Sequence, residues 1–337
     1  MTPHATPARL GPRGIEVSRL GLGTSSLGGM FWPVGDEEAV AVVRSALAEG
    51  IRYLDTAPLY GRGLSERRLG QALAGLPRES YTISTKVGRL VRSPGGRGAE
   101  PPEPGMWPEA EDAVTVLDYS ADGVRRSLEE SLERLGLDAV DIAYVHDPDD
   151  HLDRAIGETA PALERLREEG LIGAFGFGMN HAQPLARVVR ETSVDCVLVA
   201  GRYTLLDQSA DDELLPLCLE RGVGVVAGGV LNSGVLARPG PGATYDYRPA
   251  PSALLERALR LDGVCERYGV PLATAALQFP LRHPAVTCVL AGVRSVDELR
   301  QAVAALDRPL PPDLWLELAA EALLPDAAHE ATGGATP

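Results

Sequence analysis

Eight short apolar runs alternate with amphipathic stretches along this chain, and that alternation constrains its fold more than any other feature. The runs lie at 19–23, 51–55, 81–86, 140–146, 173–177, 194–199, 223–227 and 286–291. Helical periodicity is read at 36–49, 65–73, 121–135, 153–169, 182–191, 210–221, 252–268 and 295–306. Several of these stretches open on Asp or Ser and close on Gly (Gly50, Gly136, Gly170, Gly222, Gly269), as capped helices do. The apolar runs are continuous rather than alternating, which suits parallel strands covered on both faces. A closed barrel and an open doubly wound sheet both fit the pattern. Eight units in 337 residues favour an α/β protein of the (β/α)8 TIM-barrel class.

The chain reads as one domain. Residues 1–16 form an N-terminal extension, 17–324 the barrel, and 325–337 a disordered tail; an apolar helix at 312–323 covers the barrel side. Two long loops, 87–119 and 228–251, follow strand C-termini, the face on which barrels carry chemistry.

Composition excludes several classes. With 45% apolar residues the chain buries a core. No apolar run approaches the ~18 residues needed to cross a bilayer, and the first residues lack the apolar centre of a signal peptide. The four cysteines (Cys196, Cys218, Cys265, Cys288) have no CxxC spacing. A net charge of −15 disfavours nucleic acid and anionic membranes as partners. A cytoplasmic protein acting on a small molecule is expected, with its oligomeric state left open.

Among 32 basic residues there is a single lysine, Lys86. A codon bias accounts for the arginines but not for the place of the lysine. Lysine is a compact point charge, whereas arginine is a broad fork that stays protonated. Lys86 is therefore a candidate for chemistry that arginine cannot perform.

Lys86 is one of a group at three consecutive strand ends. The second run closes YLDTAPLYG, with Asp55 and Tyr60; the third closes ISTK; the fourth closes AYVHD, with His146. In a barrel these side chains converge on one mouth. A phenol is a poor base at neutral pH, with a pKa of about 10. A nearby ammonium lowers that pKa, a carboxylate holds the ammonium, and a neutral imidazole orients a substrate oxygen. Such a set moves a proton for a carbonyl/alcohol couple and needs a cofactor for the hydride. The run HDPDDH, with Asp147, Asp149, Asp150 and His151, is read as a solvated loop and helix cap. Metal barrels usually add an HxH near the first strand, and none occurs there, so no metal is assigned.

The segments GIRYLDTAPLYGRGLSERRLGQAL, STKVGR, SLERLGLDAVDIAYVHDPDD and GFGMN closely resemble the aldo-keto reductase superfamily from about Val17 to Leu306. The resemblance implies a (β/α)8 barrel binding NAD or NADP without a Rossmann fold. Its catalytic tetrad falls on Asp55, Tyr60, Lys86 and His146, with Tyr60 transferring the proton. It implies nicotinamide contacts from Gly23, Thr24, Asp55 and Asn180. Gly229, Leu231, Asn232, Ser233 and Gly234 are assigned to the pyrophosphate, and Gly292, Arg294 and Ser295 to the adenosine end. Glu298 is placed to accept from a ribose hydroxyl, Arg294 to pair with a 2′-phosphate. Ala200, Gly228 and Ala302 stand where many members carry glutamine, tyrosine and asparagine, so the nicotinamide is expected to be held differently.

LYGRGLSERRLG, VHDPDD, AGRYTLLDQ and GATYDYRPAP further resemble the branch of aldose 1-dehydrogenases and pyridoxal 4-dehydrogenase. That implies oxidation of a cyclic hemiacetal carbon, as in L-fucose or L-galactose, to a lactone. Pyridoxal offers the same geometry and is the alternative. Trp32, Trp107, Tyr245 and Tyr247 are candidate substrate walls beside Tyr60 and His146. Barrels of this kind also serve as redox-sensing regulatory subunits of channels, which is the reading from another class.

Overall fold

The computed structural model describes residues 2–95, 105–110, 112–321 and 323–324. Eight parallel strands close into a barrel: Leu20–Gly23, Tyr53–Asp55, Thr82–Val87, Val140–His146, Ile172–Met179, Cys196–Ala200, Gly224–Gly228 and Val286–Gly292. The eighth strand pairs in parallel with the first, Leu290 beside Gly21 and Gly292 beside Gly23. The expected barrel is thus the observed one. The expected tail at 325–337 lies outside the described residues.

The outward faces of the strands meet an amphipathic helical layer that includes Asp36–Ala48, Leu64–Leu73, Ala121–Leu135 and Ala182–Glu191. Burying those apolar faces is the main driving force for closure. The expected unbroken helix at 153–169 differs. A helical turn at Leu152–Arg154 passes through a wide π-type segment at Ala155–Thr159 into Ala160–Glu168. Pro161 opens that last stretch without an N–H to give, and a π-bulge absorbs the missing bond. The expected helix at 210–221 begins only at Leu214, because Glu213 leaves helical backbone at φ −146°.

The stretch set apart as an extension is built into the barrel floor. Strands Pro7–Leu10 and Ile15–Ser18 form a hairpin, and Leu10 and Val17 pack on Tyr53, Ile142 and Tyr144 inside the barrel. A Cβ on Gly224 would lie 2.5 Å from both Gly11 N and Leu10 Cδ1, so the floor closes only over glycine. Within loop 87–119 a second hairpin pairs Arg89–Arg92 with Val114–Leu117. Helix Leu272–Gln278, also absent from the sequence pattern, joins the outer layer.

Candidate active site

Strand pleating determines which side chains meet. Successive residues point to opposite faces, so Tyr53 and Asp55, Ser84 and Lys86, and Tyr144 and His146 share the inward face of three adjacent strands. Asp55, Lys86 and His146 are the last inward residues of their strands, and all three are buried. Tyr60 reaches them from the turn after the second strand.

The Lys86 ammonium is the hub. Its Nζ donates to Asp55 Oδ2 at 2.7 Å, to the Thr56 carbonyl at 3.0 Å and to Tyr60 Oη at 3.0 Å. These satisfy all three of its protons. Ser84 donates to Asp55 Oδ1 at 2.7 Å. The Ser84 hydroxyl has one hydrogen, so Tyr53, 3.0 Å from its oxygen, donates to it, and Tyr144 in turn donates to Tyr53 at 3.2 Å. A hydrogen-bonded chain thus runs from the barrel interior to the carboxylate that holds the lysine. The rings of Tyr60 and His146 stand edge-to-face at 5.9 Å, and Trp107 lies 6.2 Å from Tyr60.

Burial disfavours the Lys86 charge, yet Asp55 and Tyr60 more than offset it and raise its pKa. Burial, with Arg89 and Lys86 nearby, holds His146 well below 6.5, so the imidazole is neutral. One expectation is revised. Lys86 does pull the Tyr60 phenol down, but burial outweighs that pull and, with Asp55, pushes it up to about 12. In the ligand-free enzyme Tyr60 holds its proton.

All four side chains line one cavity of about 950 Å³ at the C-terminal mouth of the barrel. Of the residues assigned from the sequence, Gly23, Asn180, Gly229, Leu231, Ser233, Gly234, Gly292, Arg294, Glu298, Trp107 and Tyr247 also line it. Five others do not line it. Thr24 is fully buried and donates to the Asp55 carbonyl at 2.8 Å, which holds the turn. Asn232 is buried and donates to the Gly201 carbonyl at 3.2 Å. Ser295 caps helix Val296–Asp307 by accepting from the Glu298 amide. Trp32 is 62% exposed. Tyr245 is bonded to Arg202 and Asp207, anchoring loop 228–251. The wall also includes Arg62, Arg89, Thr115 and Asp147, which sequence pattern did not single out except for Asp147. Their signal is tertiary: Arg89 and Thr115 lie on a hairpin whose arms are far apart in sequence.

The cleft suits a nicotinamide dinucleotide. Gly228, Gly229, Ser233 and Gly234 keep one wall low, and open space stands where a Cβ on Gly234 would be. Asn232, Ser233 and Gly234 all have positive φ (46°, 58° and 109°), a tight turn in which the Asn232 and Gly234 amides donate to the Gly229 and Leu231 carbonyls. Ala200, Gly228 and Ala302 line the same cleft, so no tyrosine ring or side-chain amide fills those three positions.

The chain matches the model of the aldo/keto reductase family over residues 19–320. It is 42% identical to pyridoxal 4-dehydrogenase of Microbacterium luteolum, covering 94% of this chain and 97% of that protein. It is also 42% identical to D-threo-aldose 1-dehydrogenase of a Pseudomonas species, covering 93% and 96%. Identity to L-galactose dehydrogenase of Arabidopsis thaliana is 36%, over 88% and 86%. Among solved structures, the holo form of an aldo-keto reductase from Bacillus halodurans superposes with a TM-score of 0.76 at 28% identity, over 97% and 98% of the two chains. This barrel, with its Asp–Tyr–Lys–His cluster at the mouth, is a member of the aldo/keto reductase family and an NAD(P)-dependent oxidoreductase.

Proposed function

We propose that the protein oxidises the anomeric carbon of an aldose such as L-fucose or L-galactose to a lactone, with Tyr60 as the proton-transfer residue. The observation that carries this is the buried Lys86 ammonium, bonded at once to the Tyr60 hydroxyl at 3.0 Å and to Asp55 at 2.7 Å. When bound, NAD(P) supplies the hydride-accepting C4 carbon and, in its oxidised form, a positive charge. The protein side is then simple. Neutral His146 orients the C1 hydroxyl; Tyr60, once its own proton has passed to solvent and the phenolate is stabilised by Lys86 and the cofactor's positive charge, takes the C1 hydroxyl proton. In the reverse direction the protonated Tyr60 donates to a carbonyl oxygen.

Support for NAD as the preferred dinucleotide comes from Glu298. Its carboxylate accepts from Arg294 Nη2 at 2.6 Å and from the Arg294 amide at 2.8 Å. The cation that a 2′-phosphate would need is thereby engaged, and a carboxylate at this place favours a free ribose hydroxyl. Pyridoxal remains the second reading, on the identity to pyridoxal 4-dehydrogenase. A cytoplasmic setting is in keeping with four buried, unpaired cysteines.

The test is a steady-state screen of L-fucose, L-galactose, D-arabinose and pyridoxal with NAD and NADP, read by absorbance of the reduced cofactor. An aldose should be oxidised with NAD, and Tyr60→Phe should abolish turnover while leaving cofactor affinity nearly unchanged. Retained turnover in that variant would remove Tyr60 from the reaction.

A further inference from the structure

Beside the tetrad, the cavity holds a second polar group that proton transfer does not use. Asp147 follows His146 directly and lines the cavity with Arg89, Thr115 and Trp107. Its backbone is at φ +41°, a conformation unfavourable for a residue with a side chain. Two hydrogen bonds keep it there: the Asp147 amide donates to the Gly178 carbonyl at 3.0 Å, and the Tyr119 hydroxyl donates to the Asp147 carbonyl at 3.0 Å. The same hydroxyl lies 2.6 Å from the His146 carbonyl and shares its single hydrogen between the two, so one buried phenol positions both residues.

Among the described residues the Asp147 carboxylate has one close side-chain contact, 3.5 Å from Oδ2 to His146 Nε2, and no hydrogen bond is formed to it. A carboxylate offers about four acceptor sites, and that of Asp147, 23% exposed, faces the open cavity with them. Arg89 lies close enough to favour its charge. The indole N–H of Trp107, buried in the same cavity, has no partner, nor has His146 Nδ1. Acceptors and donors therefore wait together beside the reacting position.

We propose that Asp147, with Arg89 and the Trp107 N–H, binds the hydroxyl groups next to the reacting carbon and so selects polyhydroxylated cyclic hemiacetals over an aromatic aldehyde. Each hydroxyl of an adjacent pair donates to the carboxylate and accepts from the guanidinium or indole. Pyridoxal brings one phenolic hydroxyl, a methyl group and a ring nitrogen, and satisfies fewer of these atoms. This inference rests on the aldose reading and extends it to the residue that determines specificity.

The experiment pairs Asp147→Asn and Asp147→Ala with an aldose substrate, its 2-deoxy counterpart, pyridoxal and a simple aromatic aldehyde, and measures NADH affinity separately by fluorescence titration. For the aldose, kcat/KM should fall about 10- to 100-fold, the cost of one hydrogen bond to a charged group. The aromatic aldehyde and pyridoxal should change less than about threefold on that basis, and NADH affinity should not move. The deoxy sugar should be poor for the wild type and lose little further in the variants. Equal losses on all substrates, or none on the aldose, would overturn the assignment, as would wild-type selection of pyridoxal over every aldose. Tyr60→Phe separates the two readings: activity there undoes the proton route and leaves the specificity ratios of the Asp147 variants to stand or fall on their own.

Discussion

Gly28 and Gly61 lie back to back beneath the proton-transfer residue. A Cβ on Gly28 would come 2.7 Å from the Tyr60 carbonyl carbon and 2.9 Å from Gly61 N, and one on Gly61 would come 2.2 Å from Gly28 O. Gly61 also has φ +58°. The turn carrying Tyr60 is thus seated on the loop after the first strand with no room for one carbon. Gly28→Ala should shift the Tyr60 hydroxyl away from Lys86 and lower kcat about 10- to 100-fold, since misplacement by ~1 Å has that effect. Single-turnover rates would show it, with little change in cofactor affinity.

Lys86 is 2% exposed and paired with an equally buried Asp55. Lys86→Arg should lose nearly all turnover although the charge is kept, because a guanidinium fork cannot replace three donors fanned from one nitrogen. Lys86→Met leaves Asp55 unpaired and should cost about 3–5 kcal/mol in urea denaturation at neutral pH. Full activity in the arginine variant would detach the lone lysine from the chemistry.

Two groups in the cavity determine the pH profile. Burial, reinforced by Asp149 and offset by Arg89, Lys86 and His181, pushes the Asp147 carboxyl up to about 6. For oxidation Tyr60 must act as the phenolate, so kcat/KM for an aldose should rise with pH across the neutral range. Asp147 is charged above about 6 and protonated below it, which should steepen the fall below that value, while His146 stays neutral there and adds no limb. Asp147→Asn should remove the added steepness and leave the Tyr60 slope. In the direction of reduction Tyr60 is the donor and, with its pKa near 12, should sustain kcat/KM well into alkaline solution.

The Arg294–Glu298 pair should govern cofactor choice. Glu298→Gln removes the negative charge and frees the guanidinium. NADPH affinity should rise about 5- to 10-fold relative to NADH, in keeping with one partly exposed charge pair. Fluorescence titration of both reduced cofactors reads this without turnover, and an unchanged ratio would remove the pair from the selection.

The barrel and the tetrad positions were legible along the chain because they depend on local rules. Apolar runs of strand length mark the sheet, caps mark the helices, and Asp55, Lys86 and His146 stand at strand ends where a polar residue is anomalous. Tertiary structure decided what depends on residues distant in sequence. Leu10 and Val17 plug the floor through a hairpin whose seat is decided by its packing on Tyr53, Ile142 and Tyr144, all distant in sequence. Arg89 and Thr115 reach the cavity only because Arg89–Arg92 pairs with Val114–Leu117. Thr24 turned inward to hold the Asp55 carbonyl, and Trp32 turned to solvent. The pKa of Tyr60 shows the division most clearly. Its cationic neighbour follows from strand order, but the dominant influence is burial, which depends on the loops that converge over the barrel mouth. Desolvation is a property of everything packed around a group, and a linear pattern does not encode it.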